Sequence, residues 1–463
     1  MKTAACQNTA FIRTKVRKIQ HLCCNRVMQD PLETRKSVPA RQIAAVVVGN
    51  ALEFYDFLTY SFFAVYIGRT FFPSSDASAS LLASLATFGA GFAMRPIGAL
   101  VIGRMGDRLG RKPAMILSFW LMGVAITGLA LTPSRAMIGV AAPLLAVFFR
   151  MLQGFALGGE VGPTTAFLLE VAPPERRGFY TAFQFWSQNL SILASGLVGF
   201  GLAKILTAQQ LQDFGWRIAF LAGAVIVPFG LTMRRSLPET FHLTVAGKRQ
   251  PISLRPYLPL AAIGLLLLAS GTIGNYILAY MTTYAIATLH MPGSVGFAAT
   301  IVVGLCGVLL DLPSGMLSDR FGRKPTMLIP SVLLLGCILP AFYVISHYRT
   351  MITLLAATAV LSSLLSLSAG PTVIWITESL PAAIRSGSVA VIYAVSISTF
   401  GGTTQYVITW LMKATGNPLA PAWYWTAALI IGIAAMCAVR ESAPRKISIA
   451  PVVLPLVVEG DVA

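Results

Sequence analysis

The sequence predicts an all-α membrane protein of twelve transmembrane helices in two pseudo-symmetric six-helix bundles. Three observations predict it. The 463 residues are 56% hydrophobic and only 11% charged, against about 25% charged in soluble domains. The phrase GRMGDRLGRKP at 103–113 returns as GMLSDRFGRKP at 315–325, each time between long apolar segments. A second pair, EVAPPERRG from Glu170 and ESLPAAIRSG from Glu378, repeats at nearly the same offset. Two unlike motifs sharing one offset imply two homologous halves.

Charge-free windows of about 20 residues can each cross the hydrocarbon core as a helix. The apolar stretches predict twelve helices at roughly 42–68, 79–103, 113–132, 138–171, 179–206, 215–235, 256–290, 294–317, 325–346, 350–380, 388–414 and 420–440. The fourth, seventh and tenth exceed what a bilayer needs, so they tilt or extend beyond it. The domain reading is a basic cytoplasmic tail over 1–41, a first bundle over 42–235, a cytoplasmic linker over 236–255, a second bundle over 256–440, and a loose proline-rich cytoplasmic tail over 441–463. The net charge of +18 would suit nucleic acid if it were spread along one surface. Instead 27 of the 35 lysines and arginines lie in the tails and alternate loops, as the positive-inside rule requires of cytoplasmic segments. Both termini then face the cytoplasm of a multi-pass protein in a bacterial inner membrane.

Residues 1–29 hold five basic residues between Arg13 and Arg26 and no acid. They read as a disordered basic tail, as an over-long start with Met28 as the first residue, or as a targeting or lipid-binding segment. Cys6, Cys23 and Cys24 in this tail, and Cys306, Cys337 and Cys437 in spans, make no disulfide framework or zinc pattern. His21, His242, His290 and His347 are dispersed without metal-ligand spacing. No phosphate-cradling G-x-x-x-x-G-K-[ST], G-x-S-x-G or His-Glu-x-x-His is present. The reading is a transporter, with no enzyme activity, cofactor or metal.

The repeated G-x-x-x-D-R-x-G-R-K loop resembles the signature of the major facilitator superfamily. GNALEFYDF at 49–57, GFAMRPIG at 91–98, RMLQGFALGGE at 150–160, WRIAF at 216–220 and RRSLPE at 234–239 are similar to the metabolite–proton symporters, with citrate–proton symporters as the nearest likeness. The likeness covers about 40–440. It implies two bundles rocking about a midplane site, a monomer, and small organic anions and protons as partners. It also implies a role for Arg95 in recognising a carboxylate. Relatives of the citrate type need no acid at the position of Asp311, and that residue weakens the substrate analogy.

Charges inside a membrane are costly and mark function. Glu53 lies about 16 Å into the first span at 1.5 Å per residue, with Asp56 and Asn50 a turn to either side. Two carboxylates this close do not both ionise cheaply, so the pair is a candidate proton-coupling site, with Glu53 ahead of Asp56; the alternative is that one of them only neutralises a basic residue. Arg95 and Arg150 sit inside the second and fourth spans and can fork onto a carboxylate, or neutralise the first-span acids. Gln184 and Gln188 are a turn apart on the fifth span. Asn275, Tyr276 and Tyr280 lie on the seventh, where a tyrosine stripe continuing to Tyr284 lines a polar path or packs the core. Asn50, Arg95, Arg150, Gln184, Gln188, Asn275, Tyr276 and Tyr280 form the expected substrate set. Asp311 is left between a second proton site and a partner for a loop arginine.

The repeated loops read as a cytoplasmic gate. Asp107 and Asp319 can accept from the amino end of a neighbouring helix. Arg108, Arg111, Arg320 and Arg323 can pair with Glu170 and Glu378. Plain topology marking would need lysines alone, without an acid in each copy.

Overall fold

The computed structural model describes residues 40–443 apart from 110, 159–164, 166–167, 170, 225–254 and 381. Residues 1–39 of the expected tail over 1–41, residues 444–463 of that over 441–463 and most of the linker over 236–255 lie outside the described residues, as do Glu160 and Glu170.

Among the described residues the chain is helical and contains no strand. With no water to satisfy the backbone, a lipid-embedded chain must close its hydrogen bonds within each segment. The first half comprises α1 (Ala40–Phe62), α2 (Ala64–Phe71), α3 (Ala77–Ala93), α4 (Arg95–Leu109), α5 (Arg111–Leu131), α6 (Ala141–Leu157), α7 (Arg177–Ile205) and α8 over 216–224. The second comprises α9 (Leu258–Ala279), α10 (Gly293–Phe321), α11 (Arg323–Tyr348), α12 (Met351–Glu378), α13 (Ala382–Ser396), α14 (Gly402–Thr415) and α15 (Ala420–Ala438). These pieces map onto twelve spans. Large apolar side chains such as Trp120, Phe148, Trp410 and Trp423 are exposed on their outer surfaces, as lipid-facing positions are.

Several spans expected as single helices are broken. Phe63 separates α1 from α2, and Met94 separates α3 from α4 just before Pro96, which has no N–H to give. The fourth span starts later than expected: a four-residue turn, Arg135–Ile138, ends at Gly139 with φ 60° before α6 begins. The seventh ends its regular helix at Tyr280 and continues as a π-helical turn, Tyr284–Thr288. The eleventh carries a π turn at Ile397–Gly401, between α13 and α14. Such π turns widen a helix locally and recur at functional sites.

The halves meet most extensively where α7 runs beside α10. Small residues allow this: a Cβ at Gly315 would come within 2.5 Å of the Gly178 carbonyl, and one at Gly304 within 2.4 Å of the Leu193 amide. Across the other side of the molecule α3 meets α14, with a Cβ at Gly89 only 2.7 Å from the Gly402 carbonyl. Inside the first half α3 and α6 are closer still, because Gly154 stands against the Gly91 carbonyl. Apolar surface drives little association in lipid, so close backbone packing supplies the attraction.

The Gly154→Leu substitution places side-chain atoms where the Gly91 carbonyl already sits, 1.7 Å from an ideal Cβ. It should lower stability by about 1–3 kcal/mol or more, read as a fall in the thermal midpoint of the detergent-purified protein. Gly336→Ala, with nothing within 4 Å of its Cβ, should carry no such steric penalty.

Candidate substrate site

Two buried arginines lie between α1, α3, α4 and α6. Arg150, 0% exposed, donates from Nη1 to Gln153 Oε1 at 2.6 Å and from Nη2 to the Phe57 carbonyl at 3.0 Å. Its guanidinium stands 4.0 Å from the Phe57 ring centre, 4.5 Å from Tyr60 and 4.8 Å from Phe88. The Arg95 guanidinium lies 4.2 Å from Phe57 and 4.4 Å from Phe92. Phe57 is thus held between two cations, each on an aromatic face that attracts it. Arg150 Nε and Gln153 Nε2 are buried donors with no hydrogen-bond partner among the described residues.

Beside this box a cavity opens between the halves. It is lined by Phe54 of α1, Gln188 and Asn189 of α7, Asn275 and Tyr276 of α9, Asp311 of α10, Ser366 of α12 and Tyr393 of α13, among mostly apolar neighbours. Tyr276 belongs to both regions. Its ring packs against Phe88 and Phe92 at 6.1 and 5.4 Å between centres, and both Arg95 and Arg150 are among its electrostatic neighbours.

Of the expected substrate residues, Gln188, Asn275 and Tyr276 line the cavity. Asn50 and Gln184 are spent on each other: Asn50 Nδ2 donates to the Gln184 carbonyl and to Ser187 Oγ, and Gln184 Nε2 donates to Asn50 Oδ1. They fasten α1 to α7. Tyr280 is 1% exposed and its hydroxyl accepts from Thr409, which makes it an anchor between the seventh and eleventh spans. Arg95 and Arg150 are not among the residues lining the cavity. Of the expected proton-coupling pair, Asp56 is buried against α8, with Oδ1 filling the place a Gly223 side chain would take, and Tyr55 beside it donates to the Ala219 carbonyl. That carboxyl faces its own half and not the cavity. The Glu53 side chain lies outside the described residues.

Among the described residues Asp311 makes no ion pair with a loop arginine. It is 1% exposed, accepts from Asn189 Nδ2 at 2.8 Å and has Ser366 as a further hydrogen-bond partner. Asn189, Ser366 and Tyr393 were absent from the expected set. Hydropathy hides an isolated amide or serine in an apolar span, and only the neighbouring acid marks their place.

At the face carrying the repeated loops, Asp319 receives the Gly178 and Phe179 amides that open α7, at 2.8 and 3.0 Å. This carboxylate neutralises the positive end of that helix. Arg323 joins it at 2.7 Å and forks onto Glu378 with bonds of 3.1 and 3.0 Å. Arg320 stands apart, over the Phe321 ring. The side chains of Asp107, Arg108 and Arg111 lie outside the described residues. The start of the carboxy-terminal tail is not loose: Glu441 accepts from the Arg323 and Lys324 amides at 2.7 and 3.1 Å, and Ser442 donates to Glu378. A carboxylate at these orphan amides caps α11. At the opposite face Lys413 holds Asp76 at 2.5 Å, and this hydrogen bond keeps the Asp76 carboxyl below the usual carboxylate range.

A cavity between two helical halves, with ion pairs at both faces, is an arrangement suited to a membrane transporter. The sugar (and other) transporter family matches residues 42–251 and again 250–448. A citrate-proton symporter of Klebsiella pneumoniae is 34% identical over 403 residues, covering 85% of this chain and 90% of its own length. A proline/betaine transporter of Escherichia coli K12 is 31% identical over 425 residues, 88% of this chain and 84% of its own. The crystal structure of a D-xylose-proton symporter superposes with a TM-score of 0.72 at 19% identity, over 86% of this chain and 96% of that one. The chain belongs to the sugar (and other) transporter family of the major facilitator superfamily, as a multi-pass membrane transporter.

Asp319→Ala removes the acceptor for two helix-end amides and leaves Arg323 buried with one partner fewer. Breaking a buried pair from one side costs about 3–5 kcal/mol. Thermal unfolding in detergent should show the loss, and Arg320→Ala, which touches no ion pair among the described residues, should leave the midpoint near that of the parent protein.

Proposed function

We propose that this protein imports a small organic acid, a di- or tricarboxylate of the citrate type, together with protons by alternating access. The observation that carries the reading is the donor pair Arg150 Nε and Gln153 Nε2, buried in a box of aromatic rings without a hydrogen-bond partner among the described residues. An unmet buried donor is expensive, and a substrate carboxylate entering past Tyr276 would satisfy it. Arg95 shares Phe57 with Arg150 and supplies a second positive centre for the same anion. Gln188, Asn275 and Tyr276 supply neutral hydrogen-bonding groups on the cavity side.

In this reading the halves over 42–235 and 256–440 rock about the midplane cavity. The face with the repeated loops is cytoplasmic, both termini are cytoplasmic, and the membrane is the bacterial inner membrane. Asp319, Arg323 and Glu378, with Asp107, Arg108, Arg111 and Glu170 in the other copy, form the cytoplasmic gate. Glu53 takes up the coupled proton, and Asp56 serves inside its own half. The working unit is a monomer.

A second reading, a zwitterionic osmolyte, draws on the 31% identity to a proline/betaine transporter and on a carboxylate, Asp311, in the cavity wall.

Vesicles containing the purified protein, with an imposed inward proton gradient, should concentrate radiolabelled citrate and lose that ability when the gradient is collapsed. Absence of citrate flux through folded protein rejects the substrate, and flux that only equilibrates rejects the coupling. Inhibition by unlabelled glycine betaine but not by dicarboxylates favours the second reading. Arg95→Lys keeps the charge but loses the planar fork, and should raise the KM for citrate about tenfold, a loss of about 1.4 kcal/mol. Glu53→Gln should abolish accumulation while leaving exchange.

A further inference from the structure

Asp311 is the only acid lining the cavity among the described residues, and no lysine, arginine or histidine lines it with Asp311. The carboxyl sits eight residues before Asp319 on α10, about 12 Å along the helix, so it is remote from the ion network at the loop face. It is instead part of the contact between halves. Asn189, its donor, projects from α7, and α10 makes room for that amide with Gly307, where a Cβ would stand 2.1 Å from Asn189 Cγ. Ser366 meets it from α12.

The polar groups that line the cavity with Asp311 include Gln188 and Asn189 of α7, Asn275 of α9, Ser331 of α11 and Ser362 and Ser366 of α12, all of them neutral. The ionisable side chains lining the same cavity are Tyr276 of α9 and Tyr393 of α13, and the hydroxyl of Tyr393 is hydrogen-bonded to Gln188. Charged residues of α7, α10, α11 and α12 lie towards the helix ends: Arg177 and Lys204, Asp319 and Arg320, Arg323 and Lys324, and Glu378.

We propose that Asp311 is a second proton-binding residue, in the carboxy-terminal half, whose proton is held while α7 and α10 are closed on each other and released when they part. The inference rests on the proton-symport reading above and adds a site to it. A charge enclosed by neutral groups inside a membrane is unfavourable, so a carboxyl closed between Asn189 and Ser366 carries a proton. Separation of α7 from α10 withdraws Asn189, admits water and lets the carboxyl ionise. Protonation is thereby tied to the movement that exposes the substrate. At 1% exposure the closed site has room on the carboxyl for a proton, whereas a substrate ammonium group would have to displace Asn189.

The test has a readout that does not depend on the substrate. Infrared spectra of the full chain in lipid, recorded through a pH titration, should show, beside the carbonyl band due to Glu53, a second band of a protonated carboxyl. The second band should be missing in Asp311→Asn and displaced in Asn189→Ala, the second variant should the first fail to fold. A parent protein with no second band, or the same second band in Asp311→Asn, overturns the proposal. With radiolabelled citrate as probe, Asp311→Asn should keep citrate exchange and accumulate at least tenfold less under an imposed gradient. Accumulation equal to that of the parent protein overturns the coupling role, as does a folded variant that has lost exchange too. Glycine betaine competition that disappears in Asp311→Asn assigns the carboxylate to a substrate cation and also overturns it. A parent protein that moves no citrate rejects the substrate proposed above, and the infrared titration then decides the proton site alone.

Discussion

The close approach of α7 and α10 governs how the two halves of this transporter relate. Along this seam glycines on either helix face the other's backbone or a single side chain: Gly178 against Gly315, Leu193 against Gly304, Asn189 against Gly307. Each of these contacts excludes larger residues, so the helices meet in one register. The register puts Asp319 under the first amides of α7 at one level and Asp311 beside Asn189 at another. Helix packing and polar contacts therefore reinforce one another. Packing of this kind has discrete arrangements and does not deform smoothly, which suits a machine that switches between states.

The electrostatic design differs between the halves. The first half buries positive charge, Arg95 and Arg150, and holds it with aromatic faces and a backbone carbonyl. The second half contributes a carboxyl, Asp311, to the same central region. Tyr276 stands where these environments meet, touching the rings that hold the cations and the cavity that holds the acid. This arrangement suits the proposed cargo of an organic anion with protons: the arginines would favour the anion, and a carboxyl that accepts a proton would offer it no repulsion.

Much of the architecture was legible in the sequence because membrane spans are written in hydropathy and duplication is written in repeated phrases. Asp319 at a helix amino end and Arg323 with Glu378 followed from the paired motifs, since a carboxylate and an arginine at fixed offsets have few partners to choose from. The interior was harder to read. Asn50 and Gln184 looked like substrate ligands, yet polar residues on two packed helices satisfy each other first. Asp56 shared a span with Glu53 but turned towards α8, because three residues of helix rotate a side chain by about 300° and the wheel does not say which neighbour lies there. Tyr280 and Tyr276 belonged to one stripe, and a break in the helix at Tyr280 sent them to different tasks. Glu441 lay beyond the last span, and its cap on α11 joins residues more than a hundred positions apart.

Alternating access requires the contacts at the two faces to open in opposition. The direct measurement is a pair of distances by double electron–electron resonance in a variant freed of its native cysteines. One spin-label pair joins Tyr180 to Phe321 at the loop face, and the other joins Ile205 to Pro292 at the opposite face. Adding citrate at acidic pH should lengthen one distance and shorten the other, and returning to alkaline pH without citrate should reverse both. Two distances that stay fixed, or that lengthen together, would contradict a rocking motion about the α7–α10 seam.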